Sequence, residues 1–156
     1  MIIEGATFYK TCFVVPDFVT EARTLTRLFG YEWIEVPPRP LEYRIGDDVR
    51  VLETRAIITR ERPRIHLIEE IPGTPWLAGE NGSAHHVAYW VDDIVAASQA
   101  MVNEGFAVEC CDANDTLGPK AWAYFINEAG IRYELLGRFN AGAPETLIDD
   151  LPTYEV

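Results

Sequence analysis

The sequence predicts an α+β fold made of two tandem βαβββ modules, and three observations lead there. The order strand, helix, strand, strand, strand can be read twice along 156 residues. The two readings match in detail: Val15-Pro16-Asp17-Phe18-Val19 with Val91-Asp92-Asp93-Ile94-Val95, Gly30-Tyr31 with Gly105-Phe106, and Ile65-His66-Leu67-Ile68 with Tyr133-Glu134-Leu135-Leu136. The composition, 48% hydrophobic and 12% aromatic, belongs to a chain with a packed core. A module of this size cannot bury its own sheet face, so two of them are expected to pack as one unit.

The first module runs over about 7–69. Residues 8–15 are β-branched and aromatic and read as a strand. Asp17 is an N-cap, since its carboxylate can accept the free amide hydrogens of a first helical turn. The helix then runs to about Phe29, with Phe18, Ala22, Leu25 and Leu28 or Phe29 at helical spacing, and Gly30 stops it. Residues 31–36 form a second strand, Pro37-Pro38-Arg39-Pro40 a break, 49–59 a third strand and 64–69 a fourth.

Residues 70–83 carry Pro72-Gly73-Thr74-Pro75 and Gly79-Glu80-Asn81-Gly82, which is turn chemistry, and are expected to be a linker. The second module covers 84–137: a strand at 84–91, a helix at about 93–104 stopped by Gly105, and strands at 106–111, about 120–126 and 131–136. The tail, 138–156, mixes acids and prolines with scattered Leu, Ile and Tyr; it is expected to pack on the outside of the domain or on a second subunit.

Charge and cysteine count narrow the function. The formal charge is −12, so nucleic acid and anionic membranes are unfavourable partners. No apolar run approaches a membrane span, and the Met-Ile-Ile-Glu-Gly start shows no signal-peptide pattern. Cys12, Cys110 and Cys111 are an odd set with no C-x-x-C spacing, which predicts reduced thiols and a cytoplasmic setting. Seven arginines and five acids fall between Arg39 and Arg64; this is read as a solvated strand ribbon in preference to an anion-binding edge.

The candidate site comes from the strand at 84–91. By alternation His86, Ala88 and Trp90 share one face, while His85 points to the other. Superposing the modules on their Val-x-Asp segments places Lys10 where His86 stands; superposing their last strands places His66 where Glu134 stands. Modules that face each other would bring Lys10, His66, His86 and Glu134 to one cleft. Two imidazoles and a carboxylate suit Zn, Ni, Co, Mn or Fe, with positions left open for a substrate. Trp90, Trp122 and Tyr124 are candidates to line the cleft and stack on substrate. Cys12 shares the alternation of Lys10 and reads as a small buried hydrophobe.

These residues carry a resemblance. Two βαβββ modules, with His86 seven residues before the helix-starting Asp93 and Glu134 in a terminal Tyr-Glu-Leu-Leu strand, resemble the vicinal oxygen chelate superfamily of glyoxalases, bleomycin-resistance proteins and extradiol dioxygenases. The segment Ile71-Pro72-Gly73-Thr74-Pro75-Trp76, followed by His85-His86-Val87-Ala88-Tyr89-Trp90-Val91-Asp92-Asp93, looks most like its glyoxalase-like branch, related to methylmalonyl-CoA epimerase. The resemblance implies a U-shaped mixed-sheet cleft holding a divalent metal, with His66, His86 and Glu134 as ligands. Lys10 departs from the pattern, because it stands where the family carries its first histidine.

The activity the resemblance implies is that of a metal-assisted lyase or isomerase acting on a small carbonyl or vicinal-oxygen compound through an enediolate, with Glu134 or Lys10 as acid and base. Two further readings remain open. One is a metal-free protein that binds an aromatic or antibiotic small molecule, with Lys10 paired to Glu134. The other is a non-haem Fe(II) ring-cleaving dioxygenase. Relatives build the cleft within one chain or across a dimer, and exposed strand edges point to a homodimer here.

Overall fold

The structure is a computed structural model that describes residues 2–113, 121–138 and 148–156. Lys120 and residues 139–147, parts of the expected second-module strand and tail, lie outside the described residues.

The chain forms β1 (Thr7–Val15), α1 (Phe18–Phe29), β2 (Trp33–Val36), β3 (Pro40–Ile45), β4 (Asp48–Glu53), β5 (Ala56–Thr59) and β6 (Arg64–Glu69). A second run follows with β7 (His86–Val91), α2 (Ile94–Asn103), β8 (Ala107–Asp112), β9 (Trp122–Ile126) and β10 (Arg132–Gly137), and β11 (Thr153–Tyr154) lies near the end. The helix signals act as expected from the sequence. Asp17 Oδ1 accepts from the Val19 and Thr20 amides at 2.9 and 3.4 Å, and Asp93 Oδ1 from Ala96 at 2.9 Å. Gly30 takes φ 75° and its amide donates to the Thr26 carbonyl, a conformation that costs glycine nothing.

All the strands among the described residues join one sheet in the order β11-β2-β5-β6-β1-β7-β10-β9-β8-β3-β4. Each half repeats one pairing scheme. β1 is parallel to β6 as β7 is to β10, and β5 is antiparallel to β6 as β9 is to β10. The halves meet where β1 lies antiparallel to β7. Each helix covers the back of its own half: Phe18 and Ala22 of α1 pack with Trp33, Ile57 and Leu67, and Ile94 and Ala97 of α2 with Val91, Phe125 and Leu135. The opposite face of the curled sheet is left to form a cleft.

Two expectations about the first half need correction. The single strand expected over 49–59 is two strands, β4 and β5, parted at Thr54 and Arg55. The break expected at the prolines is followed at once by β3, which starts on Pro40 and pairs with β8 of the other half, Tyr43 opposite Asp112 and Ile45 opposite Cys110. Proline is tolerated as the first residue of a strand, and Leu41, Tyr43 and Ile45 alternate behind it. The β3–β4 hairpin therefore extends the sheet of the second half.

The arginine run is mostly tied up by the chain itself. Arg50 donates to the Gly73 carbonyl at 2.6 Å, and Arg55 pairs with Glu69 at 2.8 Å. Arg60 donates to the Asp149 and Leu151 carbonyls at 2.6 and 3.0 Å. Arg62 and the fully buried Arg64 both hold the Asp149 carboxylate. The end of the tail is thereby strapped to the first half, where β11 pairs with β2. The linker also does more than connect, since Trp76 within it is 2% exposed and packs in the core.

Candidate functional site

Three neighbouring strands put three side chains abreast on the cleft face. Cys12 of β1 is in register with His66 of β6 on one side and His86 of β7 on the other. In the next register position on that face, Lys10 of β1 is opposite Ala88 of β7, and Ala88 opposite Glu134 of β10. Lys10 and Glu134 are thus two strands apart, about 10 Å at the backbone. The methyl of Ala88, fully buried, leaves room for them to meet over it. Lys10 Nζ lies 3.1 Å from Glu134 Oε2, both side chains being under a tenth exposed.

A chain of polar contacts ends on the same oxygen. The Pro75 carbonyl faces His85 Nε2 at 2.7 Å, His85 Nδ1 faces His86 Nδ1 at 2.8 Å, and His86 Nε2 faces Glu134 Oε2 at 3.2 Å. A carbonyl only accepts, so His85 Nε2 carries a hydrogen, and a neutral His85 then presents a lone pair from Nδ1. His86 must donate from Nδ1, and in a neutral His86 the lone pair at Nε2 points at the carboxylate. Two lone pairs at 3.2 Å require a proton or cation between them.

The charges follow from burial and proximity. Burial works against a charged Lys10, but the Glu134 carboxylate, with smaller help from Tyr9 and Cys12, holds the ammonium above the usual lysine range. Burial would raise the Glu134 carboxyl, yet the neighbouring Lys10 ammonium, followed by the contact with His86, holds it well below the usual carboxylate range. Burial lowers His86, against the pull of Glu134. Burial and then Lys10 lower His66 further. His85 is lowered to about 3, by burial and then by Arg132. Burial pushes the Cys12 thiol up despite the neighbouring Lys10.

The donor sets for a divalent metal differ in fit. In the expected set of His66, His86 and Glu134, the carboxylate is engaged by the Lys10 ammonium, which repels a cation at that position. Cys12, His66 and His86 fit better, since each has a ligand atom and these atoms lie within 4.8 Å of one another. Among the described residues, neither ring nitrogen of the buried His66 has a hydrogen-bond partner.

Above this floor lies a cavity of about 240 Å³ lined by residues of both halves of the one chain. Trp90, Trp122 and Tyr124 line it, as do Lys10, His66 and Glu134. Trp90 Nε1 is buried without a partner among the described residues. Tyr43 and Trp76 complete an edge-to-face cluster with Trp122 and Tyr124, and Trp76 Nε1 donates to the Tyr124 hydroxyl at 3.1 Å. Arg39 and Ile148 reach the cavity from β3's approach and from the tail.

Sequence reasoning missed four of these parts. Cys12 shared the alternation of Lys10, which was the available signal for its place beside the histidines. His85 alternates off the cleft face, as expected, but its ring touches His86. Tyr43 lies between the proline break and the expected third strand, where no element was expected, and Trp76 lies in the linker; nothing local marks them as wall residues.

The comparisons agree with this architecture. Residues 9–125 match the family model described as the Glyoxalase/Bleomycin resistance protein/Dioxygenase superfamily. Among solved structures, a hypothetical protein from Bacillus halodurans C-125 is 14% identical with a TM-score of 0.58, the match covering 86% of this chain and 95% of that one. A variant of the Streptomyces coelicolor methylmalonyl-CoA epimerase, in complex with 2-nitronate-propionyl-CoA, is 13% identical with a TM-score of 0.57, covering 89% and 97%. The methylmalonyl-CoA epimerase from Mycobacterium tuberculosis is 16% identical with a TM-score of 0.56, covering 93% and 92%. Such identities speak for the fold alone. No curated protein sequence matches the chain.

Proposed function

The chain belongs to the Glyoxalase/Bleomycin resistance protein/Dioxygenase superfamily, and from that premise we propose that it is an isomerase of the epimerase kind, moving a proton at the carbon beside a carbonyl of a small substrate. The observation that carries this reading is the buried contact of Lys10, Glu134 and His86 on the floor of an aromatic cleft. Removing such a proton needs a base at the carbon and a positive group at the oxygen where charge develops.

Glu134 is the base and Lys10 the electrophilic partner. In the free protein Lys10 holds the Glu134 carboxyl low and so makes it a weak base. When the ammonium turns toward a substrate oxygen, Glu134 loses that charge, and its burial then raises its basicity. The carbon's proton passes to Glu134, and the resulting enolate oxygen (an enediolate where the carbon carries a hydroxyl) rests on the Lys10 ammonium. The unpartnered Trp90 indole N–H is a second donor to it. The planar intermediate turns its other face to protonated Glu134, which returns the proton there and completes the isomerisation. The ring stack of Tyr43, Trp76, Trp122 and Tyr124 excludes water and fits a flat or apolar body. A metal held by Cys12, His66 and His86 would add Lewis-acid polarisation of a carbonyl oxygen.

A second reading has one observation in its favour. The intact Lys10–Glu134 pair beneath an aromatic wall also suits a metal-free protein that sequesters an aromatic ligand. A ring-cleaving dioxygenase would need Glu134 free to hold Fe(II), and Lys10 stands against that. The test is exchange of the substrate α-proton in D2O, followed by NMR, with methylmalonyl-CoA and a hemithioacetal as first substrates. Exchange that drops by at least ~100-fold in Glu134→Gln is expected. No exchange with either substrate, together with tight binding of aromatic compounds, would move the assignment to the binding protein.

A further inference from the structure

We infer that Ile148, in the tail, is the end wall of the cleft and sets how long an apolar substituent the substrate carries beyond its reacting carbon. The cleft floor changes character within one register step. Ala88 of β7 is opposite Glu134 of β10, and the next pair on that face of the same two strands is Trp90 opposite Leu136. Two residues along a strand span about 6.5 Å. The register of β1 shifts between Phe8 and Lys10, and there the buried Tyr9 lines the cavity beside Lys10. Its ring lies 4.9 Å from that of Trp90, centroid to centroid. The polar pair thus gives way to an apolar end. Ile148 and Leu151 pack against the cluster of Tyr9, Ile34, Ile58 and Trp90 at that end, and Ile148 itself lines the cavity.

A side chain on a tail makes a wall only if the tail is held, and here the backbone beside Ile148 is clamped. Arg60 donates to the Asp149 and Leu151 carbonyls at 2.6 and 3.0 Å. Arg62 donates to Asp149 Oδ2 at 3.1 Å, and Arg64 holds Oδ1. The Arg64 side chain is fully buried, so lifting the tail would strip a buried cation of this carboxylate, which is costly. Asp149 is therefore a positioning residue for Ile148. Residues 148–151 lie outside the stretch 9–125 that matches the family model, so this wall is supplied by the chain's own tail. The apolar lining at this end selects an alkyl substituent, and its closure within a cavity of about 240 Å³ selects a short one.

The inference rests on the isomerase reading for its choice of carbonyl ligands, and it can fail separately because binding is read as well as turnover. The probes are the straight-chain 2-oxo acids from pyruvate to 2-oxo-octanoate, which offer a carbonyl to the floor and an alkyl chain to the end wall. Their affinity for the full chain is measured by quenching of tryptophan fluorescence and by calorimetry. In the wild type, affinity should rise about fourfold per added methylene while the chain still fits, and fall once it meets the wall. Ile148→Ala should move the maximum to longer acids and raise the affinity of 2-oxo-octanoate relative to 2-oxobutanoate by at least ~10-fold. Ile148→Trp should move it to shorter ones. Ile148 is only partly buried, so both replacements are compatible with the fold, and opposite shifts cannot come from general loosening. Asp149→Asn should shift the maximum in the direction of Ile148→Ala. A maximum that stays put in the Ile148 variants, an unbroken rise to 2-oxo-octanoate in the wild type, or no binding of any of these acids would each overturn the wall. Proton exchange with an unmoved maximum would do so too and leave the isomerase reading standing; a moved maximum without exchange would do the reverse.

Discussion

Replacing Lys10 by methionine tests the charge arrangement on which the cleft floor depends. The aliphatic stem is kept, and what disappears is the ammonium 3.1 Å from Glu134 Oε2. Both partners are under a tenth exposed, so the carboxylate left behind has His86 as its remaining close partner and little water. Removing one member of a buried pair costs about 3–5 kcal/mol. For a chain of this length each kcal/mol is worth about 2–4 °C in melting temperature, so a fall of roughly 10 °C is expected. The double variant Lys10→Met, Glu134→Gln should regain most of it, since no unpaired charge remains. Urea denaturation of the four proteins gives the coupling energy.

The pH dependence gives a second readout. Glu134 is held below its ordinary 4.5 in the folded wild type. Its contribution is therefore present above that value and is lost as pH falls through the lower folded value. Lys10 is held above its ordinary 10.5, so its contribution lasts through neutral pH and disappears as pH rises through the higher folded value. In Lys10→Met the carboxyl is governed by burial and shifts upward, and the single variant should become more stable on mild acidification where the wild type becomes less so. A cost under about 1 kcal/mol, or a double variant no better than the single, would refute the claim that the two side chains form one buried unit.

Three other substitutions probe the surrounding parts. Ala88→Leu puts bulk between Lys10 and Glu134 at a fully buried position. It should cost about 1–3 kcal/mol in urea denaturation and abolish exchange, whereas Ala88→Ser should retain both properties. His85→Phe keeps the ring volume but removes the acceptor for His86 Nδ1. Exchange should fall about 10–100-fold, while near-UV circular dichroism reports an intact core. Asp149→Asn removes the carboxylate from the fully buried Arg64 and from Arg62. A loss of about 2 kcal/mol is expected, with faster amide exchange at Thr153 and Tyr154. Burial pushes the Asp149 carboxyl up, but the hydrogen bond and charge of Arg64 outweigh it and hold the group below its ordinary value, so the strap should weaken as pH falls through that lower value.

Much of this was readable along the chain because the signals are local. The caps at Asp17, Asp93 and Gly30 involve residues within a turn of one another, and each helix falls within one residue of its expected place. Strand alternation placed His86, Ala88 and Trp90 on one face, and the repeat matched Lys10 with His86 and His66 with Glu134. The β3–β4 hairpin escaped detection because its partner is β8, more than sixty residues away. The arginine run looked like a solvated ribbon because the carboxylate that engages Arg62 and Arg64 lies in the tail.

The sequence by itself determined the α+β class, the order of most elements and the identity of the polar residues around the site, since periodicity and capping depend on neighbours in the chain. Tertiary structure decided how those residues combine. Only the register of β6, β1 and β7 sets Cys12 between two histidines, and only the small Ala88 between two longer side chains lets Lys10 reach Glu134. These are contacts across strands, and their geometry follows from hydrogen-bond registers and side-chain volumes contributed by segments far apart in the chain.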